Sequence, residues 1–214
     1  MKKRMFNDRY CLTRAVLSGD KTMTRSIIHP QPTRTAEYAG MHFITEVVGK
    51  TVKKQKLRAD FSDNLTVTSP FNFYEEVAVA QSYREIGVDN LVKMAPLAPN
   101  QAPDVSVYMT AGMNNKMFVK AEYMPHRIRI DKVKVERLQD ISAEDCLKEG
   151  IRKVDDDSLI FPNWCFFDCD HGESVAGYYL TPQDAFAALI DAVMGKGTWE
   201  SNPWVWVYEF TLIK

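Results

Sequence analysis

Trp204-Val205-Trp206-Val207-Tyr208-Glu209-Phe210-Thr211-Leu212-Ile213 alternates from end to end. Successive side chains of an extended strand point to opposite faces, so Trp204, Trp206, Tyr208, Phe210 and Leu212 share one face. So much apolar surface on one face needs a layer to pack against, and a central strand is expected here. Upstream, Arg127-Ile128-Arg129-Ile130-Asp131-Lys132-Val133-Lys134-Val135 reads as a second strand whose phase slips. Ile128 and Ile130 agree with each other, whereas Val133 and Val135 are one residue out of step. A pleated strand cannot bury both pairs on one face without an extra residue, so a β-bulge is predicted near Asp131 or Lys132. Glu76 to Tyr83, with Val77, Val79, Gln81 and Tyr83 in phase, and Met117 to Tyr123 read as further strands.

Helices are fewer. Thr181 as cap, Pro182 at the first helical position and Asp184 open a helix whose stripe is Phe186, Leu189, Ile190 and Val193, closed by Gly195. Ser142 opens a two-turn helix through Glu149, with acidic residues in its first turn and a stop at Gly150. Asp8 is expected to cap a helix over 9–18 that ends at Gly19. Strands outnumber helices, which predicts an α+β fold: an antiparallel or mixed barrel with a few covering helices. Residues 1–214 are read as one domain carrying long segments near 31–70, 84–115 and 151–180. Pro96, Pro99 and Pro103 exclude a regular element from 95–103, and the third segment holds Asp155-Asp156-Asp157.

The chain has 214 residues, 27 Lys and Arg against 28 Asp and Glu, and a formal charge of −1. With 45% apolar and 26% charged residues it has globular proportions, which excludes a disordered tail or a histone-like coat for DNA. Any nucleic-acid contact must come from a local patch. No stretch reaches the roughly eighteen apolar residues of a membrane-spanning helix. The basic start, Met1-Lys2-Lys3-Arg4, runs into Asn7-Asp8-Arg9 and not into an apolar segment. A cytoplasmic protein with no membrane partner is expected. Cys11, Cys146, Cys165 and Cys169 are too few for a disulfide framework, and reduced thiols are expected. Cys165, Cys169 and His171 lie within seven positions, but structural zinc sites pair two such knuckles and only one is present. No metal or other cofactor is expected.

Gly19-Asp20-Lys21-Thr22-Met23-Thr24-Arg25 places an ammonium, two hydroxyls and a guanidinium directly after a glycine turn. Such a cluster can hold a phosphate or a carbonyl oxygen. It is not a P-loop, since no second glycine precedes the lysine and no apolar strand leads into it. This segment resembles the G-x-K-x-x-T/x-R signature of the ASCH domain, a branch of the PUA-like β-barrel superfamily. Leu138 to Ile151 is similar to that family's helix ending in Glu-Gly-Ile, and Asn202 to Phe210 is similar to its closing aromatic strand. These segments resemble in particular the ASCH-like proteins found in phages and gut bacteria.

The resemblance implies a PUA-like barrel whose cleft takes RNA or a modified nucleoside. One branch of the family removes the acetyl group of N4-acetylcytidine with a lysine, a threonine and a glutamate. Residue by residue these fall on Lys21, Thr24 and Glu149, with Thr24 as nucleophile, Lys21 as base or oxyanion donor and Glu149 as proton carrier. Such a lysine needs its pKa lowered by burial or by a cationic neighbour, and Arg25 is placed to be that neighbour. Arg25 stands one residue earlier than in the amidohydrolase branch, whose members are about half this length. A third reading is a phage-derived module that contacts another protein through the extra segments. For RNA or a nucleoside, Arg14, Gln81, Tyr83, Arg127, Arg129 and Lys134 are further candidates, the cations for phosphates and the aromatic ring for stacking. The basic run Lys50 to Arg58 reads as a solvated loop.

Overall fold

The computed structural model describes residues 1–48, 52–87, 111–154, 163–169 and 174–213. The elements begin β1 (Lys2–Arg4), α1 (Leu12–Ser18), β2 (Met23–Ile27), β3 (Tyr38–Val48), β4 (Val52–Phe61), β5 (Thr66–Thr68) and β6 (Glu76–Val79). There follow α2 (Tyr83–Ile86), β7 (Arg127–Arg137), α3 (Ala143–Lys148), β8 (Arg152–Val154), β9 (Asn163–Cys165), β10 (Phe167–Asp168) and β11 (Ser174–Val175). The last are α4 (Pro182–Met194), α5 (Thr198–Ser201) and β12 (Trp204–Ile213).

The main sheet has the order β1-β6-β7-β12-β2, with β1 parallel to β6 and the other pairs antiparallel. β12 lies between β7 and β2, the central place its alternation requires. Its middle is covered on both faces, since Val205, Trp206, Val207 and Tyr208 are each at most 1% exposed. On one face Trp204 packs against Phe61 at 5.4 Å, from the β3–β4 hairpin, and Tyr208 against Phe71 at 5.3 Å. On the other, the register sets Val207 beside Arg25 and Lys134, and the ring of Phe186 on α4 lies 5.6 Å from the Arg25 guanidinium.

The bulge falls where the phase slip places it. Glu209 pairs with Lys132 but Phe210 pairs with Ile130, which leaves Asp131 as the extra residue. Ile128, Ile130 and Val133 are thereby all buried. The caps also agree with the sequence: Ser142 Oγ accepts from Asp145 N at 3.1 Å, and Thr181 Oγ1 accepts from Asp184 N at 3.1 Å.

The described elements form a mixed α+β fold, rich in sheet, and among them no sheet closes on itself. β1 and β2 are the two edges of the main sheet, yet they lie within side-chain reach. Arg4 Nη1 donates to Ser26 Oγ at 2.8 Å, and Nη2 donates to Thr24 Oγ1 at 3.1 Å and to the Arg25 carbonyl at 3.2 Å. A guanidinium, and not a ladder of backbone bonds, spans the gap.

Several expectations are corrected. Much of 31–70 is no loop: β3 and β4 form a long antiparallel hairpin with β5 beside it. Leu57, Ala59 and Phe61 are buried while Lys56, Arg58 and Asp60, which alternate with them, are half-buried, a period-2 pattern hidden by the density of lysines. Met117 to Tyr123 is not a strand but two 3₁₀ turns, Lys116–Phe118 and Ala121–Tyr123, the first capped by the Asn115 side chain. The strand expected over 76–83 ends at Val79, because Ser82 and Glu85 form a capping box that starts α2. Asp8 does not cap α1. Cys11 occupies that position with φ 55°, and the Asp8 carboxylate accepts from Thr13 Oγ1 and from Lys116 Nζ instead. Reduced thiols were expected, but Cys11 and Cys169 form a disulfide with Cα atoms 5.6 Å apart, while Cys146 and Cys165 are free and buried. The separation of 158 residues between Cys11 and Cys169 gives no local signal of pairing. The proline-rich stretch at 95–103, Asp155 to Asp157, His171 and Lys50 lie outside the described residues.

Candidate functional site

The segment read as a polar loop is half strand, and most of it is interior. α1 stops at Gly19, whose φ of 84° suits a residue without Cβ and whose N–H donates to Val16 O. The Lys21 N–H then returns to Ala15 O at 2.9 Å. Thr22 ties the segment down on two sides: its N–H donates to Lys148 O, at the end of α3, and its carbonyl accepts from Phe210 N on β12. β2 begins at Met23, so Thr24 and Arg25 are strand residues. At the far end of α3, Gly150 has φ +101°, a backbone only glycine adopts cheaply, and this turn leaves Glu149 directed inward.

These elements bring Lys21, Thr24, Arg25 and Glu149 to one cavity of about 60 Å³. Lys21 is 2% exposed, Glu149 3% and Arg25 1%. Lys21 Nζ donates to Glu149 Oε2 at 2.5 Å and to the Glu149 carbonyl at 2.7 Å. Arg25 Nη1 donates to the other oxygen, Glu149 Oε1, at 2.9 Å. Its Nη2 reaches Glu136 Oε1 at 2.6 Å and Asp145 Oδ2 at 3.3 Å. Lys134 Nζ bridges the same two carboxylates at 2.8 and 3.0 Å. The Thr24 hydroxyl receives Arg4. Leu12, Phe186, Leu189 and Ile190 add apolar surface to the same lining.

Burial pushes the Lys21 ammonium below its ordinary value, Arg4 and Arg25 push the same way, and Glu149 opposes them. Burial also pulls on Arg25, but Glu149 and Glu136 outweigh it and hold the guanidinium above its ordinary value. Asp145 is held low: burial would raise it, and the hydrogen bond from Lys134 reverses that. Burial drives the Cys146 thiol up to about 12, so it is no nucleophile near neutrality. The cavity wall carries Arg4, Lys21 and Arg25 against one carboxylate, Glu149, so a guest with an oxyanion or a polarised carbonyl is favoured there.

The remaining sequence candidates do not join this cavity. Arg14 and Gln81 line a different groove, of about 340 Å³, together with Asp8, Thr13 and Glu85. Tyr83 is half-buried against Tyr123, with ring centroids 6.5 Å apart. Arg127 faces Glu76 at 3.5 Å and Arg129 faces Asp131 at 2.7 Å, both on the outer side of β7. With Cys169 in a disulfide, the Cys165–Cys169 knuckle is broken, and among the described residues no cluster of three His, Cys, Asp or Glu is placed to hold a metal. Sequence reasoning missed Arg4, because a three-residue strand has no periodicity to read. It also missed Glu136 and Asp145, although Glu136 lies two positions from Lys134 and so shares its face. No family model, curated protein or solved structure matches the chain.

Proposed function

We propose that the chain is an ASCH-type, PUA-like module whose cleft recognises RNA or a modified nucleoside. The observation that carries this reading is the convergence of Lys21 from the α1–β2 connection, Thr24 and Arg25 from β2, and Glu149 from the end of α3 on one buried cavity. The curl of the main sheet, which lets Arg4 on one edge hold Thr24 on the other, is in keeping with a barrel-like scaffold. A volume of about 60 Å³ is well below the several hundred Å³ of a site that encloses a whole ligand. The guest therefore inserts one substituent of a base, while sugar and phosphate stay at the mouth beside Met5, Asn7 and Met194. Titration of N4-acetylcytidine against cytidine tests this: the acetylated nucleoside should bind at least about tenfold tighter. Equal affinities would contradict it.

The second reading, an amidohydrolase of acylated cytidine, is favoured by the Arg4 bond to the Thr24 hydroxyl. A cationic donor there stabilises the alkoxide. Thr24 Oγ would attack the acyl carbon, forming a C–O bond as its proton passes to neutral Lys21 or to Glu149. Collapse breaks the C–N bond, and the same proton leaves on the departing amine. Water then hydrolyses the Thr24 ester to carboxylate and free hydroxyl. The guanidinium of Arg4 or Arg25 offsets the oxyanion. If Lys21 is the base, turnover should rise with pH through a value below the ordinary 10.5, because burial lowers it. Release of cytidine that is unchanged in both Lys21→Ala and Thr24→Ala would rule this reading out.

A further inference from the structure

A second cleft, of about 630 Å³, is lined by Arg34, Arg137, Gln139, Glu200, Ser201 and Asn202. Arg137 stands next to Glu136 on β7, so its side chain leaves the opposite face from the one that serves Arg25. Its guanidinium lies 4.4 Å from the ring of Trp204. Nη1 donates to Asn202 O at 3.2 Å and Nη2 to Arg34 O at 3.0 Å. A surface arginine ordinarily loses much side-chain freedom on binding, whereas this one is already pinned by a ring and two carbonyls. Carbonyls orient a guanidinium without neutralising it. Asp140 is near in sequence, but its carboxylate accepts the Arg137 backbone N–H instead. The walls are tied as well: Asn202 Oδ1 accepts from Gln139 N at 2.9 Å, and Gln139 Nε2 donates to Trp199 O at 2.8 Å. Arg34 is exposed at the rim, and Glu200 is the single acid on the lining.

We propose that this cleft is a phosphate-binding site, in which Arg137 presents a pre-set fork to the phosphate oxygens and Arg34 closes over them from the rim. The planar fork matches phosphate geometry, and two arginines against one glutamate favour an anion. The site is independent of the reading of the buried cavity, which it does not touch. Two sources share this chemistry, a free phosphate and the backbone of a nucleic acid.

The test is a calorimetric or NMR titration of the whole chain, at low salt, with inorganic phosphate in one arm and a short single-stranded RNA in the other. Arg137→Gln should weaken binding in the responding arm about tenfold, and Arg34→Gln several-fold. Lys132→Gln, which removes the same charge from an exposed site elsewhere on β7, should leave it unchanged. Binding of RNA far tighter than phosphate, with steep salt dependence, would make the backbone the source; comparable binding would make it the free anion. Among the described residues the Arg34 side chain makes no hydrogen bond or ion pair, and its carbonyl still accepts from Arg137 after substitution, so Arg34→Gln decides the matter should Arg137→Gln unfold. Absence of binding in both arms, or binding that neither arginine substitution weakens, overturns the proposal.

Discussion

At the scale of single residues, Glu149 is the keystone of the buried cluster, because its two oxygens serve two different cations. Glu149→Gln keeps the volume and removes the charge, leaving Lys21 without a carboxylate in the interior. Breaking a buried pair from one side costs about 3–5 kcal/mol. Lys21→Met should cost less, since Arg25 still neutralises Glu149. Urea denaturation of both variants checks the order, and equal losses would contradict the shared role. The pH response has a definite sign. Lys21 is held below its ordinary 10.5, so in the window between its lowered value and 10.5 the unfolded chain binds more protons than the folded one. Stability contributed by this group therefore rises with pH across that window. The difference in unfolding free energy between wild type and Lys21→Met should grow in favour of the wild type there; a flat difference would refute the assignment.

At the scale of elements, the bulge in β7 is the device that lets one strand bury Ile128, Ile130 and Val133 together. Deleting Asp131 restores an uninterrupted pleat and turns Ile128 and Ile130 to the other face. Exposing each costs about 1.5–3 kcal/mol, so a loss of about 3–6 kcal/mol is expected. Asp131→Asn keeps the extra residue and loses only the charge that meets Arg129 and Thr211, for about 1 kcal/mol. Thermal or urea unfolding separates the two, and a mild effect of the deletion would show that the register does not depend on the bulge. This element was legible in the sequence because phase slips are visible wherever apolar residues alternate cleanly. The caps at Ser142 and Thr181 were legible for a similar reason, since side-chain chemistry within four residues decides them. The β3–β4 hairpin was not, because half of its alternation is carried by long basic side chains. Nor were the turns at 116–123: Met117 and Phe118 have strand-forming composition but are exposed, and Asn115 fixes the turn.

At the scale of the whole molecule, the Cys11–Cys169 disulfide and the cavity couple distant parts of the chain. A cross-link closing a loop of 158 residues removes much freedom from the unfolded chain, worth about 4–5 kcal/mol in the loop-entropy account. Reduction, or Cys169→Ser, should lower the unfolding free energy by about that amount, read from urea curves with and without reductant. No change on reduction would mean the cross-link does not form in solution. The site was only partly legible at this scale. Lys21, Thr24, Arg25 and Glu149 could be read as types in the right order, but Arg4 joins them only because β1 and β2, at opposite edges of the main sheet, lie within side-chain reach of each other, a property of no single segment. The convergence of those groups is the central claim, and binding calorimetry with N4-acetylcytidine tests it most directly, on the wild type and on Thr24→Ala, which leaves the Lys21–Glu149 pair in place. The wild type should bind saturably, and the variant about tenfold or more weakly. Equal binding by both proteins, or none by the wild type, would contradict it.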